Sequence, residues 1–171
     1  MKTQTSMVKK IVITDIPNLD NVAVYLEDYE EGKGKITITC FNKSWTYYWG
    51  CMGECNLTKF IIGCDNHYLS GKLNPNVDSD VYDEEGFENY AKEHVIRRRK
   101  ERCLSKEEAR ESYDRCFLLA EYKEFDSKEY AQLMYDIFGD DWYDCSPKKP
   151  NPEYSYFCRI LDVIKEALRN E

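Results

Sequence analysis

From Asn21 the chain alternates: Val22, Val24 and Leu26 face one way and Ala23, Tyr25 and Glu27 the other, the two-residue period of a half-buried strand. Glu30-Glu31-Gly32-Lys33-Gly34-Lys35 then sets two glycines between strand-like runs, a hairpin signal. In the next strand Ile36, Ile38 and Cys40 oppose Thr37, Thr39 and Phe41; Asn42-Lys43 forms the following turn. Ser44-Trp45-Thr46-Tyr47-Tyr48-Trp49 places Trp45, Tyr47 and Trp49 on one face of a last strand. With the β-branched run Ile11-Val12-Ile13, ended by the turn cluster Asp15-Ile16-Pro17-Asn18, the pattern predicts a four-stranded antiparallel meander.

After Gly50 the period lengthens. Asn56 caps a helix carrying Leu57, Phe60, Ile61 and Cys64 on one side, and a second short turn of helix holds Tyr68, Leu69 and Leu73. Asn74-Pro75-Asn76 breaks the pattern, and Asp78, Asp80, Asp83, Glu84 and Glu85 follow as an acidic loop. Beyond it the chain is helical. Phe87, Tyr90, Ala91, His94 and Val95 make one stripe. Ser105-Lys106-Glu107-Glu108 is a capping box that opens a helix with Ala109, Tyr113, Cys116, Phe117 and Ala120 inward. Ser127 caps another, with Tyr130, Leu133, Met134 and Ile137 inward and Gly139 at its end, and a last helix buries Phe157, Leu161, Ile164 and Leu168. The fold class is therefore α+β: the meander, a short helix, and a C-terminal group of about four helices. A single domain over 1–171 is expected, divisible into 8–73 (sheet plus helix) and 84–171 (helical), with 74–84 as an acidic linker.

Composition adds a core and a compartment. Within a hydrophobic fraction of 42%, the 14 Tyr, 7 Phe and 3 Trp supply a large share of the area available for a core. A net charge of −8 disfavours general duplex-DNA binding, which needs clustered cations. No run approaches a membrane span, and the first ten residues lack the apolar stretch of a signal peptide, so a cytoplasmic protein is expected. In that compartment the 8 cysteines read as free thiols, with Cys40, Cys116 and Cys158 in phase with apolar neighbours.

Each candidate chemistry meets a plainer explanation. Cys51 and Cys55, followed by Cys64 and His67, could form a Cys₃His zinc set, but an apolar helix fills the gap and burial accounts for Cys64. No metal and no cofactor are expected. Neither His67 nor His94 has a third residue at a diagnostic spacing to orient it for catalysis, and no phosphate loop, G-x-S-x-G or HExxH is present, so no enzyme is expected. Arg97, Arg98, Arg99, Lys100 and Arg102 are the best argument for nucleic acid, together with the sheet aromatics. Consecutive cations spread around a helix, however, and they stand at its C-terminal end, where they favour the macrodipole. A structural role or pairing with the acidic loop is the simpler reading. On the sheet, Trp45, Tyr47 and Trp49 belong to the core, whereas Tyr25, Tyr29, Phe41 and Tyr48 on the other face suit a protein partner.

Lys35-Ile36-Thr37-Ile38 through Trp45-Thr46-Tyr47-Tyr48-Trp49-Gly50, then Cys64-Asp65, Tyr68-Leu69 and Lys72-Leu73, resembles a group of small proteins encoded by temperate phages and prophages of enteric bacteria. The likeness extends into residues 97–110, covers about two-thirds of the chain, and leaves Cys51 and Cys55 outside its pattern. It carries over no active site. It implies an accessory protein that binds and inhibits or redirects a host protein complex, including defence components of the CRISPR or restriction type. Tyr25, Tyr29, Phe41, Tyr48, Asp78, Asp80, Asp83, Glu84 and Glu85 are the expected contact residues.

Overall fold

The computed structural model describes residues 1–3, 5, 7–121 and 127–171. The chain divides into two units, residues 1–79 with 151–171 and residues 80–150.

The first unit is a sheet covered on one face by helices. Strands β1 (Lys9–Ile13), β2 (Val22–Glu30), β3 (Lys33–Cys40) and β4 (Lys43–Trp49) pair antiparallel in the order β1-β2-β3-β4, as the alternation predicts. Val22, Val24, Ile36, Ile38 and Cys40 fall on the inner face because their parity matches across the ladders Val24↔Ile38 and Val22↔Cys40. Helices α1 (Leu57–Gly63), α2 (Asn66–Leu73) and α7 (Pro152–Arg169) supply Leu57, Ile61, Leu69, Phe157, Ile160, Leu161 and Ile164 to the same core. Burying each such aliphatic side chain contributes about 1.5–3 kcal/mol. Trp45 lies on Phe157 with ring centroids 4.7 Å apart, and Trp49 on Phe60 at 5.5 Å.

Polar contacts set the angles of this layer. Asp28 Oδ1 accepts from the Leu57 amide at 2.8 Å and Asn56 Oδ1 from that of Lys59 at 2.9 Å, so α1 is capped from the sheet as well as by its own N-cap. The β2–β3 turn needs Gly32, at φ +70°, because a Cβ there would fall 2.4 Å from the Gly53 carbonyl oxygen. Lys165, only 7% exposed, donates to the Cys64 carbonyl at 2.5 Å and to Asn66 Oδ1 at 2.7 Å, fastening the α1–α2 junction to α7.

The second unit begins and ends on a two-stranded ladder, β5 (Asp80–Tyr82) against β6 (Lys148–Pro150). Between them run α3 (Phe87–Lys100), α4 (Lys106–Arg115), α5 (Leu118–Glu121), α6 (Lys128–Phe138) and a 3₁₀ turn over Trp142–Asp144. Their core gathers Phe87, Ala91, Val95, Ala109, Cys116, Leu133, Met134, Ile137 and Phe138. Phe87 and Phe138 stack at 6.1 Å. The capping box at Ser105 and Glu108 forms in both directions, and Ser127 Oγ caps α6. Burial pushes the Cys116 thiol up to about 11, as expected of a cysteine used as a small hydrophobe. No helix among the described residues is long and apolar enough to cross a membrane.

Several expectations change. Helix α7 belongs to the sheet unit, not to the helical half, so 84–171 is not one subdomain. The expected acidic linker over 74–84 is partly strand β5, which continues the chain directly into the second unit. The hairpin turn falls on Phe41-Asn42, and Lys43 is already in β4. Tyr113 and Phe117 are exposed, and Ser112 and Leu119 occupy the buried positions instead. The expected inward placement of Ala120 lies outside the described side chains.

Candidate partner-binding surface

Helices α1, α2 and α7 all pack on the inner face of the sheet, so among the described residues of the first unit the outer face has no covering layer. It carries Lys10, Tyr25, Glu27, Lys35, Thr37, Thr46 and Tyr48, set there by the alternation and by the pairs Lys10↔Tyr25, Tyr25↔Thr37, Lys35↔Tyr48 and Thr37↔Thr46. Tyr29 and Tyr48 stand with ring centroids 6.0 Å apart, and both are about half exposed, at 54% and 50%. Tyr29 donates to Glu27 Oε2 at 3.0 Å, and that carboxylate, which also meets Lys35 at 3.2 Å, holds the phenol above its usual range. Lys10 lies 5.4 Å from the Tyr25 ring centroid. The face is thus polar but aromatic, with its cations placed over rings or beside acids. Exposed tyrosines are common in protein contacts, whereas base-stacking platforms set aromatics in a positively charged groove.

Phe41 does not belong to this face. It occupies the first position of the β3–β4 turn at φ +53°, a left-handed conformation unusual for a bulky residue, and is 82% exposed. The alternation running Thr37, Thr39, Phe41 concealed the turn.

The expected acidic residues are split between the units. Asp78 is in the first, where its carbonyl accepts from Asn151 Nδ2 at 2.8 Å; Asp80, Asp83, Glu84 and Glu85 are in the second. Asp83 pairs with Lys149 at 3.1 Å across the β5–β6 ladder, and Asp80 lies within β5 itself. Only Glu84 and Glu85 form an exposed pair in a loop.

The basic run is partly committed. Arg98 Nη1 donates to the carbonyls of Asp136 at 3.0 Å and Ile137 at 2.9 Å, satisfying the C-terminal end of α6. Asp136 in turn takes Arg115 at 2.8 Å and Gln132 at 2.7 Å. Arg98, Arg115 and Asp136 line a cleft of about 330 Å³ with Glu108, Glu111 and Tyr135, two guanidinium groups among three carboxylates that sequence spacing alone could not bring together. Arg99 donates to the Leu104 carbonyl at 3.0 Å. Arg97, Lys100 and Arg102 are exposed, with Arg102 at φ +63°. Arg98 and Arg99 thus have the structural role expected of the run, through backbone carbonyls and not through the acidic loop.

Cys51, Cys55, Cys64 and His67 are not brought together: among the described residues no three His, Cys, Asp or Glu side chains are placed to hold a metal. Cys64 is the C-cap of α1, its thiol raised by burial, and His67 Nδ1 lies 3.3 Å from the Tyr154 hydroxyl. All eight cysteines are free. A groove of about 480 Å³ beside Tyr29, walled by Asp28, Glu30, Glu31 and Glu54, had no expectation attached. Glu30-Glu31 next to Tyr29 was its signal, read only as a hairpin end.

No curated protein and no solved structure gives a significant match. One family model, Phage_phiTE_072, described as a phage family, matches residues 1–170. The chain belongs to that phage family.

Proposed function

We propose that this is a non-enzymatic phage accessory protein that works in the cytoplasm of an enteric bacterial host and binds a host protein complex. Binding inhibits or redirects that complex, a CRISPR or restriction defence component being the class of target that suits a member of a phage family. The observation that carries the proposal is the open outer face of the sheet, where Tyr25, Tyr29 and Tyr48 are exposed or half-buried with no layer from the described residues of their own unit over them. Tyrosine gives large contact area at low conformational cost and is enriched among residues that dominate binding energy. Phe41 at the hairpin tip and the loop carboxylates Glu84 and Glu85 are further contact candidates.

The test is capture from host lysate with tagged protein. The wild-type chain should retain a stoichiometric partner that the double change Tyr29→Ala, Tyr48→Ala releases. A lysate that yields no stoichiometric partner removes the reading. The competing reading is a nucleic-acid module using Arg97, Lys100 and Arg102, which are exposed. A gel shift at low salt with single- and double-stranded oligonucleotides decides it, because phosphate contacts are strongest there.

A further inference from the structure

The four-stranded sheet ends in two unlike edges, β1 and β4. The turn Phe41-Asn42 makes Cys40↔Lys43 the first hydrogen-bonded pair of the β3–β4 ladder. By the antiparallel alternation, Trp45, Tyr47 and Trp49 then spend their backbone groups on β3, and Ser44, Thr46 and Tyr48 turn their N–H and C=O outward. The close Thr37–Thr46 side-chain contact, 3.0 Å between hydroxyls, is what a non-hydrogen-bonded pair gives. Among the described residues, no other backbone bonds to Ser44, Thr46 or Tyr48.

Edges are ordinarily blunted by charge, proline, bulges or short length. β1 follows that rule: it has five residues and begins Lys9-Lys10, with Lys10 among the residues that face outward. β4 breaks it. Its seven residues, KSWTYYW, contain no proline and pair with β3 without a register shift. From Ser44 to Trp49 there is no charge, and the one cation, Lys43, is bound to Glu153 at 2.6 Å.

We propose that β4 takes a second copy of this chain, β4 against β4, antiparallel about Thr46. In that register Thr46 exchanges both backbone bonds with Thr46 of the second copy, and Ser44 does so with Tyr48 on either side. The side chains then meet as Thr with Thr and Ser with Tyr on the outer face, and Trp45 with Tyr47 on the inner face, pairs that favour sheet association. Self-complementarity selects this partner. A chain of net −8 repels its copy over most of its surface, but Ser44 to Trp49 is an uncharged stretch that matches itself about Thr46, with the exposed Lys72 beside it, 5.7 Å from the Tyr47 ring. Pairing β1 with itself about Ile11 would set Lys9 against Ile13 and Lys10 against Val12, a charge against an aliphatic side chain at every position off the axis. Pairing β4 with β1 would be heterologous and would not close, whereas β4 with β4 is two-fold and closed.

Purified protein, with no host component, tests this separately from host binding: the mass is measured by light scattering over a wide range of concentration. The wild type should run at twice its 20.3 kDa chain mass. Thr46→Lys and Thr46→Glu should each run at the monomer mass, since each sets like charges against each other at the two-fold axis. Mixing the two variants should restore the dimer mass. Circular dichroism checks that both are folded, and the double variants Ser44→Lys/Tyr48→Lys and Ser44→Glu/Tyr48→Glu, which set like charges against each other across the 44↔48 pairs, supply the same comparison if Thr46, which also donates to the Ile36 carbonyl at 3.0 Å, proves necessary for folding. A wild-type protein that stays monomeric, charge variants that stay dimeric, or a mixture that stays monomeric would overturn the proposal.

Discussion

The two units put their conspicuous residues to opposite uses. In the first, the aromatic strand divides its side chains: Trp45 and Trp49 close the core, whereas Tyr48 on the opposite face is half exposed. In the second, the conspicuous arginines are substantially occupied at home, with Arg98 and Arg115 joined through Asp136 and the end of α6. A run of cations drew attention in the sequence, yet its second member, Arg98, is a helix cap. Availability, and not abundance, separates a binding residue from a structural one.

That contrast can be pressed experimentally. The largest effect should come from Phe157→Ala, which removes a side chain 1% exposed and the contact with Trp45; a loss of about 3–5 kcal/mol is expected by urea denaturation. Arg98→Ala should cost about 1.5–3 kcal/mol and speed amide exchange in α6, because two carbonyls lose a charged donor. If Arg98 served only an external phosphate, stability would not move. Asn56→Ala should cost about 1 kcal/mol, the ordinary value of a helix cap, with Asp28 still holding the Leu57 amide.

A pH dependence should appear in the second unit. Burial, with Arg97 adding repulsion, holds His94 below its ordinary 6.5; the Ile137 carbonyl and Glu101 act the other way and Arg98 adds to the lowering. The unfolded chain therefore binds the proton more readily. Stability from this group is complete above 6.5 and is lost as pH falls from there through the folded value. Urea midpoints should drop between neutral and mildly acidic pH, and His94→Gln should flatten that slope. The smallest effect belongs to Tyr48→Ala, which should leave stability within about 0.5 kcal/mol while weakening capture of a host partner.

Much of this architecture can be read from residue order, and the exceptions have physical causes. Strict alternation announces β2, β3 and β4, and short polar side chains announce the caps at Asn56, Ser105 and Ser127, because both are local effects. The three-residue strand β5 is too short to show a period. The choice of core for α7 is a long-range matter, since an amphipathic stripe states that it will be buried but not against what. The same limit hid the occupation of Arg98, whose acceptors lie 38 and 39 residues away. The tyrosine face was visible as a parity, whereas Phe41 was misread because a turn at positive φ leaves no mark on a two-residue rhythm.

The return of α7 to the sheet has a consequence for biosynthesis. Val22, Val24, Ile36 and Ile38 emerge early, but Phe157, Ile160, Leu161 and Ile164, which complete their core, are translated only after the whole second unit. At about 5–20 residues per second, that interval is on the order of 5–20 s. During it the second unit has all of its own core residues available, while the apolar side of the sheet waits for its last helix. The nascent chain thus carries its most aggregation-prone surface through the middle of its own synthesis, and a chain stalled before residue 157 would lack the helix that completes the core of its first unit.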